Sequence, residues 1–297
     1  IYDKDTKKAK GVMVIDAETN ETMEFYAKIV FVNGSTLGST FILLNSTSEA
    51  HPNGLGNGSG QLGHNLMDHH FRCGAEGTAE GFEDKYTYGR RANGIYIPRY
   101  QNFNGDKRDY LRGFGYQGGA SRGNWHKEVA ELAFGGDFKE TMSRPADSWT
   151  MGLGGFGEML PYYENKVYID HSKKDKWGQP VLAIDCEYKE NEAKMREDMM
   201  YDAAEMLEAA GMKNIKTYDN GCFPGMAIHE MGTARMGNDP KESVLNKWNQ
   251  MHEVSNVFVT DGSCMPSVAC QNPSLTFMAL TARACDYAVK ELKKKNI

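Results

Sequence analysis

Apolar residues recur along the chain with two distinct periods. Met195, Met199, Ala203, Met206 and Ala210 return every three or four positions and stop at Gly211, which predicts a helix with one buried face. A methionine stripe of this kind reads as core packing. Near the C-terminus, Leu275, Met278, Ala279 and Ala282 repeat the helical period. Asn272 stands there as the expected N-cap and Pro273 as the first helical residue. Strand patterns lie elsewhere. Val12, Val14 and Ile15 precede a turn at Glu18-Thr19-Asn20, and Phe25 to Val32 then reads as a buried strand running to Gly34. A helix over Thr36 to Leu44 follows, and strand-glycine-helix is the punctuation of an α/β unit. Val167-Tyr168-Ile169-Asp170 and the run 255–267, ending at Asp261-Gly262, read as further strands. Residues 71–188 are rich in Gly, Tyr and Trp with few helical periods, which predicts a mostly antiparallel sheet with long loops.

Composition narrows the function classes. The 297 residues carry a formal net charge of -6, against a nucleic-acid surface. The basic run Lys293-Lys294-Lys295 reads as a solvated helix end. Apolar stretches such as Phe41–Leu44 are far too short to span a bilayer. The six cysteines form no CxxC pair and read as scattered thiols, which leaves cytoplasm and periplasm both open.

Several motifs invite a functional reading. GxGxxG occurs at Gly58/Gly60/Gly63, Gly113/Gly115/Gly118 and Gly152/Gly154/Gly157, and a phosphate-binding loop needs a strand before it and a helix after it. GASRG, residues 119–123, has the GxSxG spacing of a nucleophile elbow. Ser121 would be a hydrolase nucleophile, with Asp185 and His229 downstream in the right order. HNLMDHH gathers His64, Asp68, His69 and His70, a conceivable metal site but more simply a turn. Trp125, Trp149 and Trp177 are compatible with sugar stacking and equally with a plain core.

The last seventy residues hold the densest set. HEMGTARMG opens at His229, Asp239-Pro240 and Ser243-Val244 follow, then NVFVTDGS, then NPSLT from Asn272. In order and spacing this resembles the C-terminal signature of the glucose–methanol–choline family of FAD-dependent alcohol oxidoreductases. VFVNGSTLGSTFILLNS and GHNLMDHH resemble the family too. GEMLPYYENKVYID followed by KDKWGQPV is most similar to its bacterial sugar dehydrogenases and pyranose oxidases.

The resemblance implies a fold of mixed α/β and α+β class. Residues 1–70 and 226–297 would form part of an FAD-binding α/β domain, and residues 71–225 a substrate domain on a mostly antiparallel sheet. Family members begin with a strand and a GxGxxG turn for the ADP part of FAD. No such opening stands here, so the sequence is expected to begin inside that domain. The implied cofactor is FAD and the implied substrate a small alcohol or sugar, with the electron acceptor left open. His229 would be the catalytic base and Asn272 its partner on the substrate oxygen. Asp261, Gly262, Pro273, Ser274 and Thr276 would line the cofactor, with Arg235 bracing the His229 loop. No metal is implied. The alternatives are the Ser121 hydrolase and a non-catalytic, sugar-binding remnant.

Overall fold

The computed structural model describes residues 1–82, 94–122, 135–136, 138–139 and 148–297; Trp125 and Gly123 lie outside them. In chain order the elements that matter here are β1 (Gly11–Ile15), β2 (Thr22–Tyr26), β3 (Val30–Phe31), α1 (Ser35–Asn45), β4 (Cys73–Ala79), β5 (Ile95–Ile97), β6 (Phe114–Arg122), β7 (Trp149–Glu158), β8 (Lys166–Lys174), β9 (Pro180–Asp185), α2 (Glu190–Ala209), β10 (Lys213–Asp219), β11 (Val257–Phe258) and α3 (Ser274–Lys293). They fall into two compact units. One comprises Ile1–His69, Glu158–Tyr188 and Phe223–Ile297, and the other His70–Gly157 and Lys189–Cys222.

In the first unit, β3 and β11 pair in parallel, with Val257 opposite Val30 and Phe258 opposite Phe31. Val32, Leu43, Leu62, Val244, Val257 and Val259 form the core that this pair and α1 share. The expected buried strand from Phe25 to Val32 is broken in two. Phe25 and Tyr26 belong to the β1–β2 hairpin, whose outer strand is exposed throughout, and only Val30–Val32 enters the core. The hairpin turn is shaped locally: Asp16 accepts from the backbone N–H groups of Glu18 and Thr19, at 2.9 and 2.8 Å. The segment Glu158–Tyr188, grouped from sequence with the middle region, packs in this unit. Its backbone ties it there, through Val167 N–H to the Gly63 carbonyl and Leu66 N–H to that of Asn165.

Helix α3 differs from expectation at both its cap and its buried face. Pro273 occupies the cap position with no side-chain hydrogen bond, so Asn272 is not the N-cap. Leu275 and Met278 are 78 % and 69 % exposed, and Ala279 and Ala282 are exposed as well. The buried face is the opposite one. Ala284 and Ala288 pack on Phe258, and the Thr281 hydroxyl donates to that of Thr260 at 2.8 Å. This helix carries apolar residues on two sides, and position relative to β11 decides which side is covered.

In the second unit the strands run antiparallel in the order β10-β4-β7-β6-β5. Met195, Met199, Ala203 and Leu207 of α2 are fully buried against Cys73, Ala75, Phe114, Tyr116 and Leu153. The stripe ends on Leu207, since Ala210 is exposed. Glycines in β7 let the helix approach. A Cβ at Gly155 would fall 2.5 Å from the Met199 sulfur, and one at Gly157 2.1 Å from the His70 ring. Arg196 of α2 ion-pairs with Asp219 at the end of β10 and donates to the Phe71 carbonyl.

Met199→Ala should cost about 2–5 kcal/mol in urea unfolding followed by circular dichroism, because it leaves a cavity between the helix and the sheet. Met278→Gln should change stability by no more than about 0.5 kcal/mol, the reverse of what the helical pattern alone implies. Acid should weaken the α2–β10 link. The Arg196 guanidinium holds the Asp219 carboxyl below the usual carboxylate range. Its contribution is therefore present above the unfolded value of about 3.9 and lost as pH falls through the lower folded value. Asp219→Asn should remove this part of the acid-side loss when unfolding midpoints at pH 7 and pH 3 are compared.

Candidate active site

His229 sits in a segment without helix or strand, so other parts of the first unit must supply its backbone partners. Three elements do so. Along one side runs the segment 63–69. Met67 and Met231 exchange both backbone hydrogen bonds at 2.9 Å, and Gly63 N–H donates to Thr233 at 2.7 Å. Along the other side runs the turn after β11. Gly232, Ala234 and Met236 donate to the carbonyls of Gly262, Ser263 and Cys264 at 3.1, 2.8 and 2.8 Å. From α1, the Thr36 hydroxyl donates to the Glu230 carbonyl.

Two glycines make this packing possible. Gly232 has a φ of +102°, and a Cβ there would lie 2.1 Å from the Asn65 carbonyl oxygen. A Cβ at Gly262 would lie 2.4 Å from the Thr36 hydroxyl and 2.5 Å from the Glu230 carbonyl oxygen. Gly262 is thus pressed directly against the residue that follows His229.

Asp68 completes the hold. It is buried and its carboxylate meets four backbone N–H groups: His69 at 2.8 Å, Gly225 at 2.8 Å, Ala227 at 3.2 Å and His229 at 3.4 Å. A buried carboxylate is costly unless donors surround it, and here the chain provides them. The rings of His69 and His229 meet edge to face, with centroids 4.9 Å apart at 84°. His229 Nδ1 is buried and meets no hydrogen-bond partner among the described residues.

The first turn of α3 reaches the same place. Phe277 packs on the cluster of Met67, Met159, Met231 and Val268, so the start of α3 and the His229 loop rest on common side chains. Pro273 is buried, while Asn272, Ser274 and Thr276 are exposed. With no side-chain cap, the first-turn N–H groups of α3 are available to an external acceptor. The Asp261 carboxylate is engaged internally. It accepts from the Ser263 N–H at 3.0 Å and from the hydroxyls of Ser263 and Ser39, tying the turn to α1. Arg235 braces the loop from outside through Glu242, whose carbonyl its Nε reaches at 3.1 Å.

Other motifs part from this site. Ser121 lies inside β6, opposite Thr150, with the hydroxyls 3.4 Å apart. An elbow needs a sharp strand-to-helix turn, so the hydrolase reading fails on geometry. Gly152/Gly154/Gly157 and Gly115/Gly118 likewise lie within antiparallel strands, which cannot cradle a phosphate as a strand-helix turn does. Within HNLMDHH, His64 stacks on Tyr163 at 3.9 Å, Asp68 faces backbone amides and His69 faces His229. Among the described residues no group of three or more His, Cys, Asp or Glu is placed to hold a metal. Nor is any described helix long and apolar enough to cross a membrane. Sequence reasoning missed what Asp68 does, and likewise the hydroxyls of Thr36 and Ser39. The available signal was an acid between Met67 and two histidines, in a segment with no Lys or Arg.

Gly232→Ala should destabilise the chain by about 1–3 kcal/mol in urea unfolding, since an alanine strains the backbone and meets the Asn65 carbonyl.

Comparison with known proteins finds likenesses along nearly the whole chain. Residues 161–281 match the family model for GMC oxidoreductase. The chain is 33 % identical over 290 residues to the 2-methyl-1,2-propanediol dehydrogenase of Mycolicibacterium austroafricanum, covering 94 % of this chain and 51 % of that protein. It is 24 % identical over 274 residues to the fructose dehydrogenase large subunit of Gluconobacter japonicus, covering 90 % and 48 %. Its fold matches an Aspergillus oryzae formate oxidase solved in work on FAD modification, with a TM-score of 0.58 at 15 % identity, over 99 % of this chain and 59 % of that one. The chain spans about half the length of the curated relatives it matches. Residues 161–281 carry the region that the C-terminal model of GMC oxidoreductases describes, and nearly the whole chain is similar to a dehydrogenase.

Proposed function

We propose that this chain forms part of a flavin-dependent oxidoreductase that oxidises an alcohol group, of a small diol or a sugar, with His229 as base. The observation that carries the reading is the convergence of the His229 loop, the Gly262 turn and the uncapped start of α3 on shared packing. The names of the relatives, a diol dehydrogenase and a fructose dehydrogenase subunit, support the substrate class.

The residues present fit FAD. Three first-turn N–H groups without a cap, those of Ser274, Leu275 and Thr276, suit an anionic acceptor, and Ser274 and Thr276 are exposed beside them. Pro273 donates no N–H and presets the first turn, so the remaining amides need no rearrangement to bind. The Gly262 amide would donate to the cofactor, and Asp261 would shape the turn that presents it. FAD, when bound, would supply the acceptor for the hydride of the alcohol carbon.

The chain's own residues handle the proton and the geometry. Removing the hydroxyl proton makes the carbon a far better hydride donor, and an imidazole is matched to that task near neutral pH. His229 takes that proton from the substrate oxygen. Asn272, exposed at the mouth of α3, offers an amide that donates to the same oxygen and fixes its direction. The helix start stabilises negative charge that develops opposite it during the reaction.

The test is the visible spectrum of the purified chain with FAD, followed anaerobically as small diols and sugars are added. Bleaching of a bound-flavin spectrum is expected. His229→Ala should slow it by about 10²–10⁴-fold while the flavin stays bound. Asn272→Ala should slow it less. A His229→Ala protein that bleaches at the wild-type rate would remove His229 from the chemistry.

A further inference from the structure

The motif HNLMDHH was read from sequence as a turn or a metal site, and the proposed reaction does not use it. Its acid and one of its histidines nevertheless both end on His229. Asp68 holds the backbone N–H of His229 and of two residues just before it, Gly225 and Ala227. The next residue, His69, puts its ring edge to face with the His229 ring. One dipeptide therefore constrains both the main chain and the side-chain plane of the same histidine.

We infer that Asp68 and His69 are positioning residues for His229, a role that rests on the base function proposed for it. The physical case is as follows. Ile228, just before His229, is exposed and has a φ of +56°, an uncommon conformation for a β-branched residue. Such a backbone persists only where surrounding contacts over-determine it. Asp68 supplies contacts on both sides of it, at Ala227 and at His229. A carboxylate is suited to this, because it accepts from several N–H groups at once and offers no donor that would repel them. Asparagine has nearly the same shape but would turn an NH₂ towards part of this set. His69 is itself held, since its N–H donates to Asp68 and its carbonyl accepts from the Tyr188 hydroxyl at 2.9 Å. Its ring is fully buried, so it forms a fixed wall rather than a mobile neighbour.

Two readouts test this, one of them independent of catalysis. The full chain is labelled with [¹³Cε1]-histidine, and the His229 resonance is assigned by its loss in His229→Gln. In Asp68→Asn that resonance is expected to shift and broaden or split, while those of exposed His171 and of His252 stay in place. The same protein with FAD should reduce flavin on the order of 100-fold more slowly, the size of loss expected from misplacing a reacting group by about 1 Å. Half-saturation by substrate should change little. His69→Ala should lose rate in the same way, and His69→Phe, which restores a ring at the same place, should recover most of it. An unchanged His229 resonance in Asp68→Asn overturns the role of Asp68. Equal rates in His69→Ala and wild type overturn that of His69.

Should Asp68→Asn fail to fold, hydrogen exchange in the wild-type chain decides. The Gly225 and Ala227 amides should be protected and exchange together, and rapid exchange there would remove the clamp. A wild-type protein that never bleaches bound flavin would sink the proposed reaction while leaving the resonance and exchange results to decide the positioning role.

Discussion

The structure around His229 depends on one constraint: where its loop is buried, at residues 231–234, the main-chain N–H and C=O groups must find partners. Residues 225–236 belong to no helix or sheet that could satisfy them internally. The fold solves this by laying the loop between the segment 63–69 and the 3₁₀ turn Gly262–Cys264, and pairing it with both. Where the main chain alone is insufficient, a carboxylate and a hydroxyl intervene, those of Asp68 and Thr36. The glycines at 232 and 262 follow from that solution, because each stands where a neighbouring main chain leaves no room for a side chain.

The second unit meets a different constraint with the same residue type. Its sheet is covered by α2, and the methionines of that helix reach down onto β7. Gly155 and Gly157 give Met199 its space, while Tyr116 anchors the helix by donating its hydroxyl to the Met199 carbonyl at 2.7 Å. Glycine that looks from sequence like loop or phosphate-binding punctuation serves here as clearance in the middle of a strand.

Much of the fold was legible in the sequence because period and punctuation are local. The α2 stripe, the stop at Gly211, the helix after Gly34 and the glycine-rich antiparallel sheet all follow from neighbours a few residues apart. The candidate site was legible only as an ordered set of motifs near the C-terminus, through their resemblance to a family. What stayed hidden was non-local. Helix α3 has apolar residues on two sides, and only the position of β11 shows that Ala284 is covered and Met278 is not. Asn272 has the composition of a cap, yet Pro273 takes that place. Asp68 has one adjacent donor, the His69 N–H, but the others that reveal its use lie 157 to 161 positions further along.

That last separation bears on how the protein is made. The contact between Asp68 and Gly225 spans 157 positions, and the link between Thr36 and Glu230 spans 194. Closing segments of this length costs chain entropy before any contact returns it, and folds rich in such contacts form slowly. On a ribosome the early partners, Thr36 and Asp68, emerge long before the loop they hold. The cradle must wait, with a carboxylate that the finished fold will bury, until residues 225–230 have been synthesised. The loop that carries His229 thus orders only after both of the segments that hold it have been made.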